Sequence, residues 1–513
     1  MQRNNILNKK ENTLTMKQYI SKQRELIQLE YDLETEEKQK TGITSIDLCF
    51  ILRSNTIAKE KKEKKEKKET RIWTTTLPLP KNLIPPEYLI VSDPTFVNVS
   101  DKIRVDILDS DKEPIEGTVM KIREGELTAV FELDWEEDSA RHKCSIKFLP
   151  NDIVYKRKMN AINKLKNLKK ELKDMLCGIY PTNQRIPRMT IDLPEGYRLN
   201  ASQAKAVSMS VSNAFSLIQG PPGTGKTHTI GAIAIQALRN SRGKKVLICG
   251  TTNVSINSLL EIVGDMVQKA GFKVCWPAAS ARDFQTEEGL TKEQKLMTLY
   301  LSLHKNSSDG RRFKELHEKY NQTEKDTIEM KHLRDRLEEE IIRESDVIFS
   351  TLDSSGKKSI SQNIGQISTL IVDEATLSVE SSMIIPLSLC PDRFVLVGDQ
   401  QQLGPQPSFK ELDNKGFYCS MFERIIEEKS CLKNSVMLNT QYRMHPDISC
   451  FPNNLFYDNE LIDGVRPEER MISTKFIFQK HLNFINFNHA EEQNGTSYIN
   501  QEEIKEVLKC VNS

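Results

Sequence analysis

The chain has 513 residues, 38% hydrophobic and 28% charged, with 73 basic and 72 acidic side chains for a formal net charge of +1. That length suggests three or four domains with ample chain for a core, and it argues against a small disulfide-stapled scaffold. A neutral total neither points to nucleic acid nor excludes it, because a basic groove can sit on a neutral protein.

The ten cysteines are scattered and no CxxC pair occurs. Zinc-ligand spacing is absent, and reduced buried thiols are expected. The N-terminus (MQRNNILNKKEN) is polar and does not read as a signal peptide. No apolar run is long enough for a membrane span. These features read as a soluble cytoplasmic or nuclear protein with no membrane and no zinc among its partners.

Residues 1–71 are expected to hold a stalk helix and an insert. Met16, Tyr19, Ile20, Leu26, Ile27 and Leu33 space a helix over 14–39. The run Lys59–Lys68 (KEKKEKKEKK) reads as a solvated, disordered insert. Over 72–155 the period changes to two. Ile103, Val105 and Ile107 alternate, Val119–Ile122 and Leu127–Leu133 flank Gly125 as a hairpin, and Cys144, Ile146 and Phe148 alternate again. Short strands with close turns predict a small β-barrel. Residues 156–182 return to helix, with Met159, Ile162, Leu165, Leu168, Leu172 and Met175 in phase and Gly178 as the stop. Two helices flanking one β-module predict a barrel on a helical stalk.

Residues 183–430 alternate strand, loop and helix. Phe215–Ile218, Val246–Cys249, Val347–Phe349, Leu370–Val372 and Phe394–Val397 are the apolar strand cores of a parallel α/β sheet. The charged stretch 285–343 is too long for a crossover and reads as a helical insertion. A second, partial α/β unit is expected over 431–513.

Gly220-Pro221-Pro222-Gly223-Thr224-Gly225-Lys226-Thr227 fits GxxxxGK[ST], with a strand before it and a helix after it. Glycines let backbone N–H groups ring the phosphates, and the helix N-terminus adds positive potential. Lys226 supplies a charge to the β and γ phosphates of ATP, and the Thr227 hydroxyl suits Mg²⁺. The strand Leu370–Val372 ends in Asp373 and Glu374. A buried parallel strand delivers such residues to the ligand-binding edge, Asp373 for Mg²⁺ and Glu374 for the attacking water. The strand Phe394–Val397 leads into Gly398-Asp399-Gln400-Gln401-Gln402. A glutamine there can reach a γ-phosphate, and spacing leaves open which of the three does. Arg443, in Gln441-Tyr442-Arg443-Met444-His445-Pro446, is either an arginine finger or a structural ion-pair partner. His445 before a proline reads as structural.

Taken together, LNASQ (199–203), SLIQGPPGTGKT (216–227), IVDEAT (371–376), LVGDQQQLGP (396–405), LNTQYRMHP (438–446), FPNNLFYD (451–458) and GTSYIN (495–500) resemble superfamily 1 helicases, most closely the up-frameshift RNA helicases of nonsense-mediated mRNA decay. The resemblance covers roughly 72–513. It implies RecA-like P-loop domains, with a stalked β-barrel and a helical insertion before and within the first. It implies that Gln203 reads the adenine edge, Tyr442 stacks near the base and Gln402 is the γ-phosphate sensor. It places Thr252, Asn253 and Thr351 where the family contacts the backbone of single-stranded RNA, or DNA. Thr251-Thr252 stands where the family has Pro-Ser, and Ser354-Ser355 replaces a glycine-rich stretch. The family's Cys/His-rich zinc module has no counterpart here. The family's second motor domain continues beyond GTSYIN with a further arginine motif. The chain therefore reads as a fragment or truncated product, expected to bind ATP-Mg²⁺ but to hydrolyse it weakly.

Overall fold

The computed structural model describes residues 13–40, 43–49, 51–56, 70–78, 101–108, 113–123, 126–133, 141–180, 189–277, 307–318, 324–428, 433–470, 486, 489–494 and 497–512. The Lys59–Lys68 run and residues 285–306 and 319–323 of the expected insertion lie outside these. Contacts divide the chain into two units, one of residues 1–166, 379–388 and 406–419, the other of 167–378, 389–405 and 420–513.

The first unit opens with the expected helix, Met16–Lys40, which buries Tyr19, Leu26 and Ile27. Seven strands follow: β1 (Ile43–Cys49), β2 (Ile51–Thr56), β3 (Thr70–Pro78), β4 (Lys102–Ile107), β5 (Ile115–Arg123), β6 (Glu126–Leu133) and β7 (Arg141–Leu149). They form one antiparallel sheet in the order β1-β7-β4-β5-β6-β3-β2. Period-two burial gives it a core of Trp73, Ile103, Val105, Phe131, Ile146 and Phe148.

The expected boundary at 72 is corrected, because β1 and β2 come from residues assigned to the stalk and insert. Their β-branched residues Ile43, Thr44, Ile46, Ile51 and Thr56 carried that signal, next to a lysine run that masked it. The following helix starts at Asp152, not 156, because the Asn151 side chain caps it by accepting from the Ile153 N–H. That helix ends at Lys164, and a 3₁₀ turn over Leu165–Asn167 separates it from Lys170–Leu176. Leu165 and Leu168 are both buried, and three-residue spacing suits the tighter turn.

Two segments expected in the α/β domain belong to this unit. Leu412, Phe417 and Tyr418 pack on Leu26, and the Tyr19 phenol donates to Glu380 at 2.7 Å. Charges are buried here too. Lys158 pairs with Glu30 at 2.7 Å, and Lys38 pairs with Asp101. Burial, reinforced by Glu30, pushes the Glu34 carboxyl up to about 7 against the pull of Lys158 and Lys38.

The second unit is built on a parallel sheet of β8 (Phe215–Gln219), β9 (Lys245–Gly250), β10 (Val274–Cys275), β11 (Val347–Thr351), β12 (Ile367–Val372), β13 (Arg393–Gly398) and β14 (Ser435–Met437). The order is β10-β11-β9-β12-β13-β8-β14. All five expected strand cores are present, and β12 is buried at every position, as helix-covered parallel strands must be. β14 corrects the expected boundary at 431. Val436 is buried, its strand pairs with β8, and the first sheet therefore extends to Met437.

Beyond it, β15 (Thr440–Gln441) pairs in parallel with β16 (Ile462–Asp463) around the helix Pro446–Phe456. A hairpin of β17 (Glu492–Asn494) and β18 (Ser497–Ile499) and the helix Gln501–Asn512 complete the described residues. In the insertion, helices Ser308–Glu318 and Glu324–Glu344 pack through Phe313, Leu316, Leu333 and Leu337. No helix among the described residues is long and apolar enough to cross a membrane.

Candidate nucleotide site

β8 is buried from Phe215 to Ile218 and delivers Gly220 to the carboxyl edge of the sheet, where the Gly220 N–H donates to the Gly398 carbonyl at 2.8 Å. The loop turns through Gly223 (φ 76°) and Gly225 (φ 83°), a backbone conformation that side chains disfavour. A Cβ on Gly225 would stand 2.5 Å from Gln203 Nε2, and one on Gly220 2.2 Å from Lys226 Cγ, so close packing also requires glycine. Thr224 ties the loop by donating to the Pro221 carbonyl at 2.7 Å. The helix Lys226–Asn240 then begins, its first N–H groups facing the loop.

Lys226 Nζ donates to the Gly220 carbonyl at 2.9 Å and lies 3.6 Å from Glu374 Oε1. Glu374 has φ 48°, rare for a residue with a side chain and typical of functional turns. Asp373 is 7% exposed, and its Oδ1 is buried with no hydrogen-bond partner among protein groups. Burial, then the neighbouring Glu374, pushes its carboxyl up to about 7, while Lys226 opposes the shift. A buried carboxylate oxygen without a protein partner, on the same cavity as Thr227, has the chemistry that a divalent cation takes.

Gln203, Lys226, Asp373, Glu374, Tyr442 and Arg443 line one cavity of about 790 Å³, together with the loop residues Pro221 and Gly223–Thr227. The Tyr442 N–H donates to the Gly223 carbonyl at 2.9 Å, which joins the QYR segment to the phosphate loop. Pro222 and Gly220 shape the loop without lining the cavity. Gln203 Oε1 accepts from the Asn200 N–H at 3.0 Å, and its amide donates to the Thr224 carbonyl at 3.0 Å, so it braces the loop as well as facing the cavity.

Gln402 is not brought onto this cavity. Its amide donates at 2.8 Å to the buried Asp399 carboxylate, which draws it away, and it lines an adjoining cavity with Glu374. His445 caps a helix, its Nδ1 accepting from the Asp447 N–H at 3.1 Å.

Sequence reasoning passed over Asn200 and Asp399. Asn200 forms a capping box with Gln203 and donates to the Tyr442 hydroxyl at 3.0 Å. The pattern Asn-x-x-Gln before an apolar run was its signal.

Thr252 and Asn253 follow β9 and Thr351 ends β11; the two strands are parallel neighbours, so all three residues sit at the carboxyl edge of the sheet, as the nucleotide site does. Thr252 caps the helix Asn253–Leu259 by accepting from the Ser255 N–H at 3.1 Å, and Thr351 accepts from the Ser354 N–H at 3.3 Å.

A parallel sheet, a glycine loop gripping a helix N-terminus and two acids ending the next strand but one define a RecA-like P-loop nucleotide-binding domain. Two AAA-domain family models match the chain, one over residues 198–275 and 277–406, the other over 417–513. Together with the relatives below, these matches support an up-frameshift-like superfamily 1 helicase.

It is 33% identical over 350 residues to a Regulator of nonsense transcripts 1 homolog of Neurospora crassa, covering 65% of this chain and 30% of that protein. It is 31% identical over 447 residues to the ATP-dependent helicase upf1 of Schizosaccharomyces pombe, covering 81% and 43%. A DNA polymerase alpha-associated DNA helicase A of the same yeast is 28% identical over 383 residues, covering 70% and 55%. The chain thus spans less than half the length of the first two.

Proposed function

We propose that this chain is the ATP-driven motor of a helicase or translocase that acts on single-stranded RNA, or DNA, in mRNA surveillance. Lys226 and the loop amides bind the triphosphate, Thr227 and Asp373 hold Mg²⁺, and Glu374 orients or deprotonates the attacking water. Arg443 neutralises charge on the transferred phosphoryl group, and Tyr442 stacks on the base. Thr252, Asn253 and Thr351 donate to the backbone of the bound strand without reading its sequence. The antiparallel sheet β1–β7 is the stalked β-barrel of the family.

The observation that carries this reading is the shared cavity of Lys226, Asp373, Glu374 and Arg443 around an unpaired buried carboxylate oxygen. RNA as the strand is supported by relatives named for nonsense transcripts, while a relative named as a DNA helicase supports DNA. The test is calorimetric titration of the chain with ATP in the presence and absence of Mg²⁺, followed by ATP turnover with poly-RNA and with single-stranded DNA. Mg²⁺-dependent binding is expected, with turnover that is weak and rises with one polymer. ATP binding that ignores Mg²⁺ would remove the motor reading, and strong polymer-stimulated turnover would overturn the expectation of weak hydrolysis.

A further inference from the structure

We infer that Gly464 and Arg470 are positioning residues for ATP, which set the pose of Tyr442 and Arg443 from behind; this rests on the nucleotide-binding reading above. Neither touches the cavity. The Tyr442 ring lies directly against Gly464. A Cβ at 464 would stand 2.4 Å from Tyr442 Cε1, 2.6 Å from Cδ1 and 2.8 Å from Thr440 Cγ2. Such distances are far inside carbon contact, so any side chain there must displace the ring.

Gly464 is itself fixed. Its N–H donates to the Gln441 carbonyl at 2.8 Å, which continues the β15–β16 ladder by one residue. The Arg470 guanidinium reaches the same segment with Nε 3.1 Å from the Arg443 carbonyl and Nη2 2.9 Å from the Tyr442 carbonyl. One planar fork thus holds two successive peptide groups, a geometry that a flexible lysine cannot reproduce. Between these posts, Gln441 is fully buried. It accepts from the N–H groups of Arg443 and Met444 and donates to Asp463 at 2.6 Å.

The front of Tyr442 is left to the cavity, with its hydroxyl held by Asn200. The ring is therefore clamped at its tip and its back, and its residue lines the cavity. A stacking partner preset in this way does not lose rotamer freedom when the nucleotide arrives.

The experiment is isothermal titration of the 513-residue chain with Mg-ATP and with Mg-tripolyphosphate, which has no base, in Gly464→Ala, Tyr442→Ala and the double variant. Gly464→Ala is expected to weaken ATP by about fivefold to tenfold, the worth of one aromatic stack. Tripolyphosphate binding should stay within about twofold, and Gly464→Ala should add nothing in the Tyr442→Ala background. An equal loss for tripolyphosphate, or a loss that survives removal of Tyr442, would overturn the assignment. Arg470 is exposed, so Arg470→Ala tests the second post without risk to a core. It should weaken ATP by about threefold or more, with only part of the loss restored by Arg470→Lys, and unchanged affinity would reject it. Failure of the parent chain to bind either ligand would count against the nucleotide reading itself.

Discussion

The Tyr457 phenol donates to the buried Asp399 carboxylate at 2.7 Å, joining the helix after the QYR segment to the loop after β13. Asp399 is fully buried and also accepts from Gln402 at 2.8 Å and from Gln219 at 3.2 Å. Burial, followed by this hydrogen bond, pushes the phenol pKa well above its usual value. Tyr457→Phe removes one donor and leaves a buried carboxylate short of a partner. A loss of about 1–3 kcal/mol in unfolding free energy is expected from urea titration. An unchanged midpoint would show that water replaces the phenol.

Glu374 and Lys226 face each other at 3.6 Å, yet they should fail differently. Glu374→Gln keeps the shape of the site and removes the carboxylate proposed to handle the attacking water. ATP binding should persist while any turnover falls by roughly 100-fold or more. Lys226→Ala should instead weaken ATP binding itself by about tenfold to 100-fold, because a charge-assisted contact to phosphate is lost. Calorimetry paired with phosphate release separates the two, and retained turnover in Glu374→Gln would reject its assignment as the base.

Asn200 serves two structures at once, the cap of the helix Ala201–Ser212 and the Tyr442 hydroxyl. Asn200→Ala should destabilise the fold by about 1 kcal/mol through the lost cap. Asn200→Ser should restore the cap without reaching Tyr442. Thermal unfolding in the absence of nucleotide checks the first effect. A difference in ATP affinity between parent and Asn200→Ser isolates the second.

Glu34 gives the first unit a pH dependence whose sign can be worked out. Its folded pKa, about 7, lies above the unfolded value. Its favourable contribution is therefore complete below the unfolded pKa and is lost as pH rises through 7. Glu30, Asp101, Lys38 and Lys158 face it, and the two lysines limit the shift without cancelling it. Glu34→Gln should match the parent at about pH 4 and exceed its stability at about pH 8 by about 1–2 kcal/mol, discounted for partial exposure. Equal stability at both values would place Glu34 in bulk solvent.

The nucleotide loop was legible because each feature is local: the GxxxxGK[ST] run, the strand before it and the helix after it lie within thirty residues or so. Asp373 was legible from the apolar strand that it ends, whereas Arg443 by itself stayed open between an arginine finger and a structural ion-pair partner. The edge strands were the hardest to read. β14 is three residues long and β10 two, and they gain their pairing from neighbours distant in sequence. The same holds for Leu412 and Phe417, whose partner Leu26 lies almost four hundred positions away. Gln402 kept its place on the loop expected for a sensor, but the unforeseen burial of Asp399 captured its amide.

The thiols offer an internal gauge of opening. Cys144, Cys177, Cys249 and Cys275 are buried, one or more in each unit, while Cys450 is exposed. Burial raises the pKa of Cys249 far above the usual thiol range and pushes Cys275 up to about 12, so neither offers a nucleophile in the closed fold. Alkylation should therefore mark Cys450 at once and reach Cys249 only when the central sheet breathes, which makes the rate of labelling at that strand a clock for the sheet's own loosening.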